Sequence, residues 1–360
     1  MLMKSILNSN GMGQAIERGG NNMLWLSKED VISSGVYNMS TAQTEVEETF
    51  RLYAEGKVKM AQEIPLRWKP VYTDEAFYSL SAYVGGKYSV AGIKWTTHHP
   101  DNKAKGLPHI YTLLTLSDPD TGIPLSMMEG SVISACRTGA VSATAFKYLA
   151  DPGVRILLCC GAGVQARQQI LAAHYALPGL EIIRIWSRTK AHAEKLAQEL
   201  RPVMGSTDIE AVDDISSARE SDIIIAATSA AIPYLCRDDF KDGVLYCHIG
   251  YNDIETDAIA QFDQYVFDDF DSGIAHSGQP LFRMVRDGIF DMSKNAGILS
   301  EMITGTRQVH QCRGKKLMFD AFGLVIFDIA LGHFVYKYAL EHGIGQELAL
   351  WKQPEGNITE

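Results

Sequence analysis

No uninterrupted apolar stretch in this 360-residue chain approaches the roughly 18 residues that a membrane-spanning helix needs, so an integral helical membrane protein is a poor reading. The six cysteines, Cys136, Cys159, Cys160, Cys236, Cys247 and Cys312, form no C-x-x-C pair, and four lie in or beside apolar runs. Buried reduced thiols fit that placement better than disulfides or a metal centre. A block of Lys and Arg is also missing. With 33 basic against 43 acidic residues the formal charge is −10, which leaves nucleic acid and anionic membrane surfaces as poor partners. Internal repeats and low-complexity segments are absent too.

The apolar fraction of 46% is that of an ordinary soluble protein, and the length accommodates two domains with a core each. Residues 1–21 break into polar residues and glycine before a signal-type core develops, so an N-terminal extension and a cytoplasmic protein are expected.

The chain is organised around Val154 to Arg188, which reads as strand, glycine turn, helix and strand. Ile156 to Cys160 is apolar without alternation, as in a parallel strand covered on both faces. Gly161, Gly163 and Ala166 follow as G-x-G-x-x-A: a tight turn, a close approach of backbone to a pyrophosphate, and a small residue for helix–sheet packing. A lone glycine fingerprint is weak, but here a helix beginning near Val164 and a second strand at Leu180 to Trp186 complete a βαβ unit. The phosphates would sit on the amides of Val164, Gln165 and Ala166.

Before this unit, Thr41 to Glu55 has a helical apolar face, and Phe77 to Val84, Tyr88 to Trp95, Ile110 to Leu116 and Pro124 to Met128 read as antiparallel strands. Ser131 to Leu149 is an alanine-rich helix. After Arg188 strands and helices alternate, and the doubly wound sheet is expected to close near Gly305. A long helix is expected within Leu317 to His342. The fold class is α/β, with a 136–305 dinucleotide-binding domain and the rest of 22–135 and 306–350 forming a second, α+β domain.

Three cations lie beside strand or helix ends in the N-terminal half: Arg67, Lys94 and Arg137. A buried cation needs an anion, and the α-carboxylate of an amino or imino acid would serve. From spacing alone, three separate salt bridges account for them better.

The runs G-I-K at Gly92 to Lys94, D-P-D-T-G-I-P at Asp118 to Pro124, R-T-G-A at Arg137 to Ala140, G-A-G-V-Q-A at Gly161 to Ala166, W-S-R-T-K at Trp186 to Lys190 and F-D-A-F-G before Asp328 occur in the order seen in the ornithine cyclodeaminase and μ-crystallin family. The chain resembles that family over about residues 24 to 345. The resemblance implies a Rossmann domain inserted into a substrate and dimerisation domain, a homodimer, and Arg67, Lys94 and Arg137 at positions that hold the substrate carboxylate. Open edges in the strand-rich Phe77 to Leu116 segment also favour a dimer.

Two departures stand out. The cyclodeaminases carry a catalytic aspartate in a G-x-D-x-P-G-K loop, whereas this chain has Asn252 there and Asp253 beside it. Asp253 either substitutes after a small loop shift or caps a turn. His109 replaces a threonine; it is either a proton donor or a structural histidine. His98 and His99 are adjacent, point to opposite faces of a strand and lack a third ligand, so no metal is expected.

The leading expectation is an NAD(P)-dependent oxidoreductase acting on the C–N bond of a small amino or imino acid. Lys94, Asp253 and His109 are its catalytic candidates. Ser187, Arg188 and Thr189, where an NAD enzyme usually carries a carboxylate, favour NADP(H), with NAD(H) also possible. Thr228 and Ser229, after the strand at Asp222 to Ala227, complete the cofactor set. An ornithine cyclodeaminase-like lyase and a non-catalytic, NADP-dependent binding or accessory subunit are the alternatives.

Overall fold

A computed structural model describes residues 22–68, 75–308 and 314–350; the expected extension at 1–21 and Cys312 lie outside the described residues. The chain divides into two compact units, Met1–Arg137 with Val325–Glu360, and Thr138–Leu324. The first division falls inside the helix Ser131–Leu149.

The strands of the first unit are β1 (Asn22–Leu26), β2 (Val58–Met60), β3 (Ile64–Leu66), β4 (Ala76–Val84), β5 (Val90–His98), β6 (Ile110–Ser117) and β7 (Pro124–Glu129). The second unit carries β8 (Ile156–Cys160), β9 (Ile182–Trp186), β10 (Asp208–Ala211), β11 (Ile223–Ala226), β12 (Leu245–His248), β13 (Gln264–Phe267), β14 (Asn295–Ile298) and β15 (Leu317–Asp320). The chain then returns to the first unit through the helix Val325–His342 and β16 (Gln346–Ala349).

In the first unit the sheet order is β16-β1-β7-β6-β5-β4-β2, with β3 also on β4. All pairs are antiparallel except β1 with β7. Ser27 opens the helix Lys28–Ser33 with a capping box to Asp30, and Asn38 accepts from the Ser40 amide to start Met39–Ala54. The helix Val325–His342 lies against β4, β5, β6 and Met39–Ala54, with the Phe50 and Phe327 rings 4.6 Å apart. Its approach depends on two glycines. A Cβ on Gly92 of β5 would stand 2.5 Å from Ile329 Cδ1, and one on Gly332 would stand 2.4 Å from Leu114 Cδ2. Alternation puts Lys94 on the same face as Gly92, beneath this helix.

The second unit is a wholly parallel sheet, β10-β9-β8-β11-β12-β15-β13-β14. Its central strands are buried along their length, which is why Ile156 to Cys160 shows no alternation. The chain runs outward in opposite directions from β8 and β11, so the switch point, with its crevice at the carboxyl ends, lies between them.

The expected end of this domain near Gly305 is corrected. Leu317–Asp320 pairs with both β12 and β13, so the unit runs to Leu324 and the helix begins only at Val325. Four buried residues followed by an apolar helix give no change of period by which sequence could separate them. Among the described residues no helix is long and apolar enough to cross a membrane.

Candidate active site

In the first unit, Lys94 and Arg137 converge on Asp328. Lys94 Nζ is 2.9 Å and Arg137 Nε 3.1 Å from the same oxygen, Oδ2. The lysine contact is a hydrogen bond, whereas the arginine contact is an ion pair whose angle falls outside hydrogen-bond geometry. Asp328 stands in the first turn of Val325–His342, where the helix dipole favours a carboxylate, and Gly92 and Gly332 let that turn reach β5. All three side chains are buried or nearly so. Burial lowers the Lys94 pKa from its usual value; Asp328 opposes that shift and Arg137 reinforces it. Two buried cations thus share one buried carboxylate, whose Oδ1 has no hydrogen-bond partner. The surplus positive charge is what a substrate carboxylate would neutralise.

Arg67 lies outside this cluster. It is exposed, donates to the Tyr78 hydroxyl at 3.2 Å and stands over that ring. The placement of His109 corrects its expected catalytic role. Its ring lies tilted against His98 at 4.6 Å, and His98 stands four residues from Lys94 along β5, about 13 Å at ~3.3 Å per residue. Its buried Nε2 has no partner. Among the described residues no His, Cys, Asp and Glu side chains group as a metal site.

In the second unit, Gly161 follows β8 with φ +125°, and a Cβ there would stand 2.5 Å from the Ala227 carbonyl oxygen, so only glycine fits. Gly163 differs: nothing lies within 4 Å of an added Cβ, and as N-cap of Val164–Ala176 it provides no side-chain cap. The first-turn amides therefore face open space at the switch point, and Ala166 is buried against the sheet. Gln165 Oε1 is buried without a partner. These residues fit a dinucleotide pyrophosphate.

At the end of β9, Ser187 is half-buried and Arg188 and Thr189 are exposed. Lys190 is taken up by Asp213 at 2.7 Å, whereas Arg188 has no ion-pair partner among the described residues. Thr228 and Ser229 follow β11 at the same edge.

Asp253 is fully buried, and its Oδ1 accepts hydrogen bonds from the Thr228 and Tyr234 hydroxyls. Asn252 Nδ2 donates to the Ala231 carbonyl at 2.7 Å. This enclosure fits the turn-holding alternative for Asp253. Sequence reasoning missed its partners His248 and Tyr234, and Asp320 on the other side of His248, because no spacing signal links them.

The sequence matches the ornithine cyclodeaminase/mu-crystallin family over residues 23–343. It is 29% identical over 338 residues to the alanine dehydrogenase of Archaeoglobus fulgidus, covering 91% of this chain and 99% of that protein. It is also 29% identical over 262 residues to a Delta(1)-pyrroline-2-carboxylate reductase of Bacillus cereus, covering 71% and 80% of the two chains. Among solved structures, the Thermococcus litoralis Delta(1)-pyrroline-2-carboxylate reductase in complex with NADH and L-proline superposes with a TM-score of 0.83 at 28% identity, over 90% of this chain and 99% of the other. With its inserted parallel sheet, its Lys94, Arg137 and Asp328 cluster and a match along nearly its whole length, the chain belongs to the ornithine cyclodeaminase/mu-crystallin family.

Proposed function

We propose that the chain is an NAD(P)-dependent oxidoreductase acting on the C–N bond of a small amino or imino acid. The observation that carries this reading is the buried pair of cations, Lys94 and Arg137, on the single carboxylate of Asp328. A substrate α-carboxylate completes that charge balance and fixes the adjacent carbon and nitrogen. A bound reduced nicotinamide supplies hydride when present. Lys94, its pKa lowered chiefly by burial, is suited to give or take a proton at the substrate nitrogen. Arg67, exposed and held on Tyr78, is the third cation proposed for the substrate carboxylate. The alanine dehydrogenase and pyrroline-2-carboxylate reductase relatives support this reaction class. Burial of Asp253 and the turn of Asn252 toward Ala231 weigh against cyclodeamination.

The test is a spectrophotometric screen at about 340 nm of cyclic and acyclic imines and of amino acids, with both cofactors. No turnover of any of them would sink the proposal. The unpaired Arg188 and the Ser187 hydroxyl, with no carboxylate beside them, support a preference for NADP(H); equal or better kcat/KM with NADH would refute it.

The buried thiols Cys136, Cys159, Cys160 and Cys247, none of them in a disulfide, support a cytoplasmic protein. The face of the first unit's sheet opposite Lys94 exposes Ile64, Leu66, Ile93, Trp95, Tyr111 and Leu113, an apolar patch that a second copy would cover. A homodimer is therefore expected by light scattering at micromolar concentration, with Trp95→Glu shifting it to monomer. A monomeric unmodified protein would overturn this.

A further inference from the structure

The second unit contains a buried polar cluster that the proposed chemistry does not use. His248 ends β12, Asp320 ends β15 and Asp253 lies in the turn after β12; all three are fully buried. His248 Nδ1 is 3.2 Å from Asp320 Oδ1, and Nε2 is 3.6 Å from Asp253 Oδ2. Burial pulls the imidazole pKa down, but the two carboxylates outweigh it and hold it at about 9, so the ring is a cation at neutral pH.

Through Asp253 this cluster reaches the loop that follows β11. Asp253 Oδ1 accepts from Thr228 and, at 2.8 Å, from the Tyr234 hydroxyl. The Tyr234 and Leu235 amides donate to the Asp253 carbonyl at 3.1 and 3.0 Å. Thr228 Oγ1 turns the loop by accepting from the Ala230 amide at 3.1 Å. Asn252 Nδ2 holds the Ala231 carbonyl, and Asn252 Oδ1 accepts from Arg283 at 3.1 Å. Ile232 at the loop's tip is 80% exposed, whereas its far end packs through Tyr234. The hydrogen bonds to Asn252 and Asp253 anchor the stretch between.

The position of these anchors gives them a function. The loop rises from β11, one of the two strands at the switch point, and forms a wall of the dinucleotide crevice. The Tyr234 ring also packs 4.8 Å from Trp186, which ends β9 and precedes Ser187. One chain of contacts, from the buried Asp320, His248 and Asp253 to the half-buried Tyr234 and Trp186, therefore runs under both walls of the crevice.

We infer that Asn252 and Asp253, backed by His248 and Asp320, clamp the Thr228–Tyr234 loop as a preformed wall of the dinucleotide site, and that Asp253 positions the cofactor instead of carrying a proton. This rests on the dinucleotide reading above. A wall fixed before the ligand arrives spares the cost of ordering it on binding.

The test is fluorescence titration of NADH and of NADPH into the wild type, Asp253→Ala, Asp253→Asn and Tyr234→Phe. It is paired with hydrogen exchange of amides 229–235 in the ligand-free proteins. Asp253→Ala should raise Kd at least tenfold and speed exchange in the loop. Asp253→Asn, whose amide oxygen still accepts from the two hydroxyls, should recover part of both, and Tyr234→Phe should raise Kd by a few-fold. For an imine turned over in the screen above, the KM for dinucleotide should rise in step with Kd. Unchanged Kd in a folded Asp253→Ala protein overturns the clamp, as does a collapse of kcat with Kd intact. Should Asp253→Ala fail to fold, unchanged Kd and exchange in Tyr234→Phe overturn it. Absence of binding to the wild type would instead defeat the dinucleotide reading, and the clamp with it.

Discussion

The two units each bury a cluster of three charged side chains, and the clusters have opposite compositions. In the first, two cations share one carboxylate; in the second, one histidine lies between two carboxylates. The difference lies in what satisfies the surplus. Asp253 Oδ1 takes hydroxyl donors from its own unit, Thr228 and Tyr234, and His248 stands between the two carboxylates, although Asp253 Oδ2, Asp320 Oδ2 and His248 Nε2 have no hydrogen-bond partner. Among the described residues the ion pairs of Lys94 and Arg137 are both to Asp328, with a weaker field from Glu63 on Lys94, which leaves surplus positive charge for an arriving anion. A buried cluster with surplus negative charge draws hydroxyl and imidazole donors from its own unit, whereas one with surplus positive charge suits an arriving anion.

The comparison is broken most severely by removing one cation. Lys94→Ala or Arg137→Ala leaves Asp328 neutralised by the other cation and removes the surplus. Loss of a charge-assisted hydrogen bond costs roughly 1.5 to 3 kcal/mol, so kcat/KM should fall about 10- to 100-fold. Dinucleotide Kd should not move, because the pyrophosphate amides belong to the other unit. Wild-type kcat/KM in either variant would show that the cluster is structural.

A smaller effect is expected from Asp328→Asn, which sharpens the comparison by enlarging the surplus. Asp328 is the main influence holding the Lys94 pKa up against burial, so its loss lowers that pKa further. The basic limb of the kcat/KM profile should move toward lower pH, with a several-fold loss at neutral pH. A profile displaced toward higher pH would contradict this.

The smallest effect concerns the histidine cluster. The His248 pKa is raised from 6.5 to about 9 against Asp320 and Asp253, with Tyr246 stacked at 5.8 Å and Tyr234 and Cys160 nearby. Because the folded value lies above the unfolded one, the stabilisation is complete below about pH 6.5 and lost as pH rises through about 9. Tm should therefore be lower at pH 10 than at pH 8 by a few degrees, at ~2–4 °C per kcal/mol for a domain of this size. His248→Asn should flatten that slope. An equal slope in the variant would assign it to other groups.

The two clusters also differ in how much of each could be read from sequence. Lys94, Arg137 and the glycines at 161 and 163 stand in short runs whose chemistry is local, and the strand Ile156–Cys160 and the helix Ser131–Leu149 have the bounds expected of them. His248, Asp253 and Asp320 sit at the ends of short buried strands, and nothing in their spacing shows that β12 and β15 are neighbours. The same gap misplaced the end of the second unit, because a four-residue buried strand carries too few residues to display a period. For His109 the residue type allowed either acid–base chemistry or a structural role, and nothing in the sequence shows that its ring lies 4.6 Å from His98, at the end of β5 away from Lys94.

The pairing of β1 with β16, Asn22 opposite Ala349, has a consequence for biogenesis. The second unit is one continuous segment, whose residues have all been made before Val325 is added, so it can fold while translation continues. The first unit must wait. Its sheet lacks β16, and Lys94 lacks Asp328, until the C-terminal segment leaves the ribosome. Until then β4 to β6 expose the face that Val325–His342 later covers, so a stalled or truncated chain should carry a finished nucleotide unit beside an uncovered sheet. Such a chain is a natural client for a chaperone that shields apolar strands.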